Sequence, residues 1–168
     1  MNQQTLPDKC LCGADPVVDK KGELFKYRCP NCAEKELPWL NQRHDYGALQ
    51  EWNRIAPKKT YRKRTLEYNE HGVCIAEPSD VLEWKDKKGR DHITIKIYKD
   101  NGRFYYCYRW SLKNSGGGCG LWIGQNGYPT MELLKKYAKK RLGRVGKMEG
   151  IMKILNKLIP EKAQMELF

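Results

Sequence analysis

Apolar residues along the chain follow a strand-like alternation in some stretches and a helical spacing in others, with turn signals between them. Glu23–Arg28 (Glu-Leu-Phe-Lys-Tyr-Arg) alternates as a strand. Tyr46 to Arg54 reads as a short helix with Ala48, Leu49 and Trp52 on its apolar side, Asp45 as N-cap and Pro57 as the stop. From residue 66 the pattern turns to β. Gly72–Ala76 is a short apolar run, Lys85–Gly89 is a turn signal, and Ile93, Ile95 and Ile97 share one face of the next strand. Asp100-Asn101-Gly102 is a hairpin turn leading into Arg103–Trp110. That strand places Phe104, Tyr106, Tyr108 and Trp110 on one side, and Arg103, Tyr105, Cys107 and Arg109 on the other. The aromatic side has the rings to stack bases but reads more readily as core, which leaves Arg103, Tyr105 and Arg109 as the exposed side.

Further on, residues 115–120 read as a flexible glycine-rich loop, Leu121–Ile123 as a further strand and Asn126-Gly127 as a turn. Thr130 caps an expected helix from Met131 to Leu142, with Leu133, Leu134, Tyr137 and Ala138 as its buried stripe. Gly143 and Gly146 interrupt it. A second helix, Lys147 to Ile159, carries Met148, Ile151, Met152, Leu155, Leu158 and Ile159 at helical spacing, and Pro160 ends it.

Four of the seven cysteines change this picture, because they fall in two close pairs. Cys10-Leu-Cys12-Gly13 is a C-x-C pair, and Cys29-Pro-Asn-Cys32 is a C-x2-C pair beyond a hairpin-sized spacer. Such spacing lets four thiolates converge on one structural zinc ion. Gly13 and Pro30 suit the two turns. The bite of the first pair is tight, so His44 is the substitute ligand if Cys12 does not reach. The expected fold class is α+β: an N-terminal zinc ribbon (1–56), a basic linker (57–65), a basic domain with a small antiparallel sheet and C-terminal helices (66–160), and a tail (161–168).

The motifs Cys10-Leu-Cys12-Gly13, Tyr27-Arg28-Cys29-Pro30-Asn31-Cys32 and Ala48-x3-Trp52-Asn53-Arg54 resemble the Lar-like group of small phage and prophage zinc-ribbon proteins. That group shows C-P-x-C-G, then V-x-C-x2-C, then an A-x3-W-N tail. The resemblance covers residues 6–56 and departs at the first pair, which has one spacer residue fewer. It implies a zinc ribbon and a phage-like origin. The family's name, restriction alleviation, suggests a counter-defence role.

Charge sharpens the functional expectation. The formal net charge is +12, yet residues 1–56 are neutral, 57–64 carry +5, 65–130 carry +1 and 131–168 carry +6. Excess charge gathered in a connector and a C-terminal segment suits a nucleic-acid partner. The candidate contacts are Lys58, Lys59, Arg62, Lys63 and Arg64 in the connector, Arg103 and Arg109 on the strand, and Lys136, Lys139, Lys140 and Arg141 on the helix. Tyr61 offers a stacking ring beside them.

The chain ends in Gln164-Met165-Glu166-Leu167-Phe168, which resembles the pentapeptide by which bacterial polymerases and repair proteins dock on the replicative sliding clamp. The resemblance makes Gln164 the polar anchor, puts Met165 in the place of the usual Leu, and has Leu167 and Phe168 fill an apolar pocket. Large apolar side chains beyond a helix stop suit a partner ligand.

No apolar run approaches the roughly 20 residues of a membrane span, and Met1–Thr5 has no signal-peptide character. The expectation is a soluble protein of the bacterial host cytoplasm. No catalytic site is evident: the acids of residues 67–100 are scattered, and Glu70–His71 and Asp91–His92 have no partner element. A non-enzymatic, clamp-recruited, zinc-ribbon DNA-binding protein is therefore expected. The rivals are a counter-defence protein that binds a host restriction or immunity protein, and a metal-dependent nuclease.

Overall fold

The computed structural model describes residues 6–43, 47–61, 63–112, 115–145 and 151–159. It is an α+β protein whose described residues form two compact units. The first runs to Glu77 and also takes in Gly120–Gln125; the second holds Pro78–Cys119 and the described residues from Asn126 onward.

In the first unit, β1 (Val17–Lys21), β2 (Leu24–Arg28) and β3 (Leu40–Asn41) form an antiparallel sheet in that order. Gly22, with φ of 61°, makes the tight connection between β1 and β2. Helix α1 (Ala48–Ile55) follows, with Gly47 as its N-cap. The Gln50 side chain accepts from the Gly47 N–H at 3.2 Å. The expected cap Asp45 lies outside the described residues. Trp52, Ile55 and Ala48 are fully buried against Tyr27, Leu37, Leu40 and Ile123.

The boundary expected at 57–65 falls elsewhere, because the chain beyond α1 remains part of the first unit. Arg64 donates to the Tyr68 hydroxyl at 2.8 Å and to the carbonyls of Trp122 and Gln125. Residues 72–76 and 121–123 form no regular strand. They meet instead through the bridge Val73–Trp122 and the Cys74 N–H donating to the Leu121 carbonyl at 2.8 Å.

The second unit is a four-stranded antiparallel sheet in the order β4 (Asp80–Lys85), β5 (His92–Asp100), β6 (Arg103–Leu112), β7 (Ser115–Cys119). Asn101 and Gly102, at φ 49° and 73°, turn β5 into β6. Ile93, Ile95 and Ile97 stand opposite Trp110, Tyr108 and Tyr106. These residues are buried beneath α2 (Met131–Val145) and α3 (Ile151–Leu158) through Leu134, Ala138, Leu142, Leu155 and Ile159. The aromatic side of β6 is therefore core.

Three expectations change here. The glycine-rich segment is not a loop but the edge strand β7. A Cβ on Gly118 would lie 2.5 Å from the Tyr108 carbonyl oxygen and one on Gly116 would lie 2.9 Å from that of Trp110, so only glycine fits. Helix α2 runs through Gly143, where a Cβ would meet the Met152 sulfur at 2.9 Å. Its buried line is Leu134, Ala138 and Leu142, while Leu133 and Tyr137 face outward. Thr130 does cap it, its hydroxyl accepting from the Leu133 N–H at 3.2 Å. Among the described residues no helix is long and apolar enough to cross a membrane.

Candidate metal centre

Two knuckles of the first unit bring Cys10, Cys12, Cys29 and Cys32 together, with all four sulfurs within 4.8 Å of one another. Cys12 and Cys29 stand 3.6 Å apart, and Cys10 and Cys32 4.0 Å, so each short distance links one knuckle to the other. Four ligands at about 2.3 Å from a tetrahedral ion would lie about 3.8 Å apart, whereas a disulfide needs about 2.05 Å. The arrangement fits one metal ion held by four thiolates.

Local sequence explains the convergence. At the first knuckle, Gly13 adopts φ of 87° and its N–H donates to the Cys10 carbonyl at 2.7 Å. At the second, the N–H groups of Asn31 and Cys32 point at the Cys29 sulfur. The motif Ala48-x3-Trp52-Asn53 secures the approach to the first knuckle. Trp52 stacks on Tyr27 at 6.1 Å and donates to the Asp8 carbonyl at 2.8 Å. Asn53 accepts from the Asp8 N–H at 2.8 Å and donates to the Leu6 carbonyl at 3.3 Å.

Cys10, Cys29 and Cys32 do not titrate as ordinary thiols. Burial raises the Cys10 thiol, but the Cys12 N–H, the Cys29 and Cys12 side chains and Lys35 together bring it down to about 7. Burial pushes Cys29 up, and hydrogen bonding to Cys12, with burial, pushes Cys32 up to about 12. One sulfur ionises readily, while burial holds back Cys29, and the Cys12 contact with burial holds back Cys32. A cation at the centre is what allows all four to be thiolates at once.

Lys35 is a member of this site for which the sequence offered no signal. It is 3% exposed, and its ammonium donates to the Cys10 sulfur at 3.4 Å and to the Ala56 carbonyl at 2.9 Å. Ala56, at the C-terminus of α1, also accepts from the Leu11 N–H at 2.9 Å, so one carbonyl ties both knuckles to the helix. A buried ammonium needs a compensating negative charge. Four thiolates on a divalent ion carry a net charge of −2, and Lys35 offsets half of it.

Cys12 supplies the fourth sulfur without His44, which lies outside the described residues, as do Arg62 and the tail residues Gln164, Met165, Leu167 and Phe168. Among the described residues no other group of three or more His, Cys, Asp or Glu side chains converges as these cysteines do.

The charged residues singled out by sequence divide between the two units. Lys58 and Lys59 are exposed just after α1. Lys63 pairs with Glu36 at 2.8 Å, and Arg64 is tied to the carbonyls described above. Arg103 donates to the Gly127 carbonyl. Tyr105 is buried at 5% exposure, while Arg109 is open. Lys136, Lys140 and Arg141 are exposed on α2, and Lys139 is half-buried. The chain matches no family model, no curated protein and no solved structure.

Proposed function

We propose that this is a DNA-binding accessory protein of phage or prophage type. In this reading a single structural zinc ion holds the first unit together, the second unit contacts DNA, and the tail docks on the bacterial sliding clamp. Four sulfurs with no carboxylate or imidazole among them suit zinc better than a hard cation. The observation that carries the DNA reading is the state of the cations on α2. Lys136, Lys140 and Arg144 are exposed and have no ion-pair partner among the described residues, and Arg109 on β6 is likewise open. Such unopposed charges are available for phosphates, and they read backbone rather than sequence.

The test is titration of labelled DNA across a salt series. Affinity falling steeply with salt, and a shallower slope for the triple variant K136A/K140A/R144A, is the expected result. Binding indifferent to salt and to those substitutions would overturn the DNA reading. For the tail, a chain ending at Lys162 should lose the clamp and keep DNA; clamp capture by that shortened chain would remove the docking role. Salt-insensitive capture of a host restriction protein, with no DNA binding, would favour the counter-defence alternative.

A further inference from the structure

Beside α2 lies a cleft of about 200 Å³ lined by Tyr106, Tyr128, Tyr137, Lys140, Arg141 and Arg144. Its helical wall follows from spacing alone. Tyr137, Lys140, Arg141 and Arg144 stand at i, i+3, i+4 and i+7, one stripe beside the buried line of Leu134, Ala138 and Leu142. The other wall is aromatic. Tyr128 stacks on Tyr137 at 5.2 Å and lies 6.0 Å from Tyr106.

The aromatic wall is held firmly. Tyr128 exchanges backbone hydrogen bonds of 2.7 and 2.8 Å with Phe104, and Arg103 donates to the carbonyl of Gly127. A Cβ on Gly127 would lie 2.5 Å from the Tyr105 ring, so any larger residue there would displace that ring. Arg141 is steered by a hydrogen bond to the Tyr108 hydroxyl. Tyr137, by contrast, remains 48% exposed. The lining holds three cations and no carboxylate, and Lys140 and Arg144 have no ion pair among the described residues.

A row of tyrosines beside three cations, with no carboxylate in the lining, fits a ligand that is flat and aromatic at one end and anionic at the other. We propose that this cleft is a subsite for one nucleotide of single-stranded DNA, its base against Tyr137 and its flanking phosphates on Lys140, Arg141 and Arg144. The proposal rests on the DNA-binding reading above and narrows it. Stacking on a side chain needs a base free of its own stack, which a single strand offers and an intact duplex does not. The polymer is favoured over a free nucleotide because the charges continue beyond the cleft. Lys136, Lys140 and Arg144, at i, i+4 and i+8, form a line of about 12 Å along the helix, which successive phosphates would follow.

The test compares full-length, metal-loaded wild type with Tyr137→Ala and Tyr137→Phe, using fluorescence anisotropy on a labelled 12-nucleotide oligothymidine, the matching duplex and free thymidine monophosphate. Tyr137 is exposed, so both variants retain the core; circular dichroism and metal content check this. The proposal expects wild type to bind the single strand more tightly than the duplex or the mononucleotide. Tyr137→Ala should weaken the single strand about tenfold, leave duplex binding unchanged, and be rescued by Tyr137→Phe. Equal loss on strand and duplex, no loss with Tyr137→Ala, or preference for the free mononucleotide would each overturn the subsite. DNA binding that survives in that case leaves the broader reading standing, whereas absence of binding to every probe overturns both.

Discussion

The two units differ in how many of their positive charges meet an anion of their own. In the first, Lys26 and Lys63 converge on Glu36, Arg43 meets Glu23, Arg54 meets Glu51, and Lys35 faces a sulfur. In the second, the cations of α2 surround a buried apolar line and point away from it. Their cores differ in the same sense. The first unit closes around Trp52 with Cys10 and Cys29, whereas the second closes around Ile93, Ile95 and Ile97 beneath two helices. A small module with little apolar area gains from pairing cations with its own anions and from a site that can take an ion as staple. A sheet with a sufficient hydrophobic face can leave its cations for a partner.

Removing the metal is the strongest way to break this comparison. Chelation, or Cys29→Ser, should take metal content from one ion per chain to none. Hydrogen exchange should then lose protection around Tyr27, Trp52 and Ile55 while Ile93–Ile97 stay protected. Structural zinc sites contribute on the order of 10–16 kcal/mol in small peptides, more than a unit of this size can replace. Simultaneous loss of protection in both units would erase the distinction. The counterpart in the second unit is Leu142→Ala, fully buried beneath the sheet. It should cost about 2–5 kcal/mol in denaturant unfolding and leave metal content unchanged.

Lys35→Met sharpens the first half. It keeps the length of the side chain and removes the charge, and metal affinity measured by chelator competition should fall about 10- to 100-fold. Unchanged affinity would mean that the buried ammonium serves packing alone. For the second half, Lys136→Ala with Lys140→Ala should reduce the salt slope of DNA binding by roughly 0.7–0.9 for each cation removed. Lys26→Ala with Lys63→Ala should leave that slope alone, and an equal reduction from both pairs would dissolve the contrast.

The smallest effect is a pH dependence. Hydrogen bonds from Lys26 and Lys63 hold the Glu36 carboxyl down at about 2, from the usual 4.5. Below 4.5 the unfolded chain takes up this proton before the folded one does. The stabilisation is therefore complete above that pH and lost as pH falls toward 2. Against Glu36→Gln, wild type should be about 1 kcal/mol more stable at neutral pH, with the gap closing in acid. A gap that stays constant down to pH 2 would show that the carboxylate contributes nothing there.

Much of this was legible in the sequence, and the parts that were not share a cause. The cysteine pairs, the β5–β6 hairpin and the Thr130 cap are local signals, set by residues within a few positions of one another. The strand β1 hides because three of its five residues are charged. β4 hides because Val81 blurs the alternation of Leu82 and Trp84. A run of glycines has no side-chain pattern, so β7 exists only through its fit against Tyr108 and Trp110. Lys35 and Arg64 read as surface charges until partners far along the chain, Cys10 and Trp122, come to meet them.

The excursion of Gly120–Gln125 bears on how the chain is made. Ile123, 1% exposed, belongs to the interior of the first unit, yet Pro78–Cys119 must be synthesised before it emerges. A nascent chain growing from its N-terminus can gather its four thiolates early but cannot finish that interior until Gln125 has left the ribosome. The crossings also defeat dissection by a single cut. A fragment ending at Glu77 lacks Ile123, and the complementary piece carries it without the cluster it packs in. Completion of the first unit therefore waits on the synthesis of residues 78–119, whatever the order in which its sulfurs meet a metal.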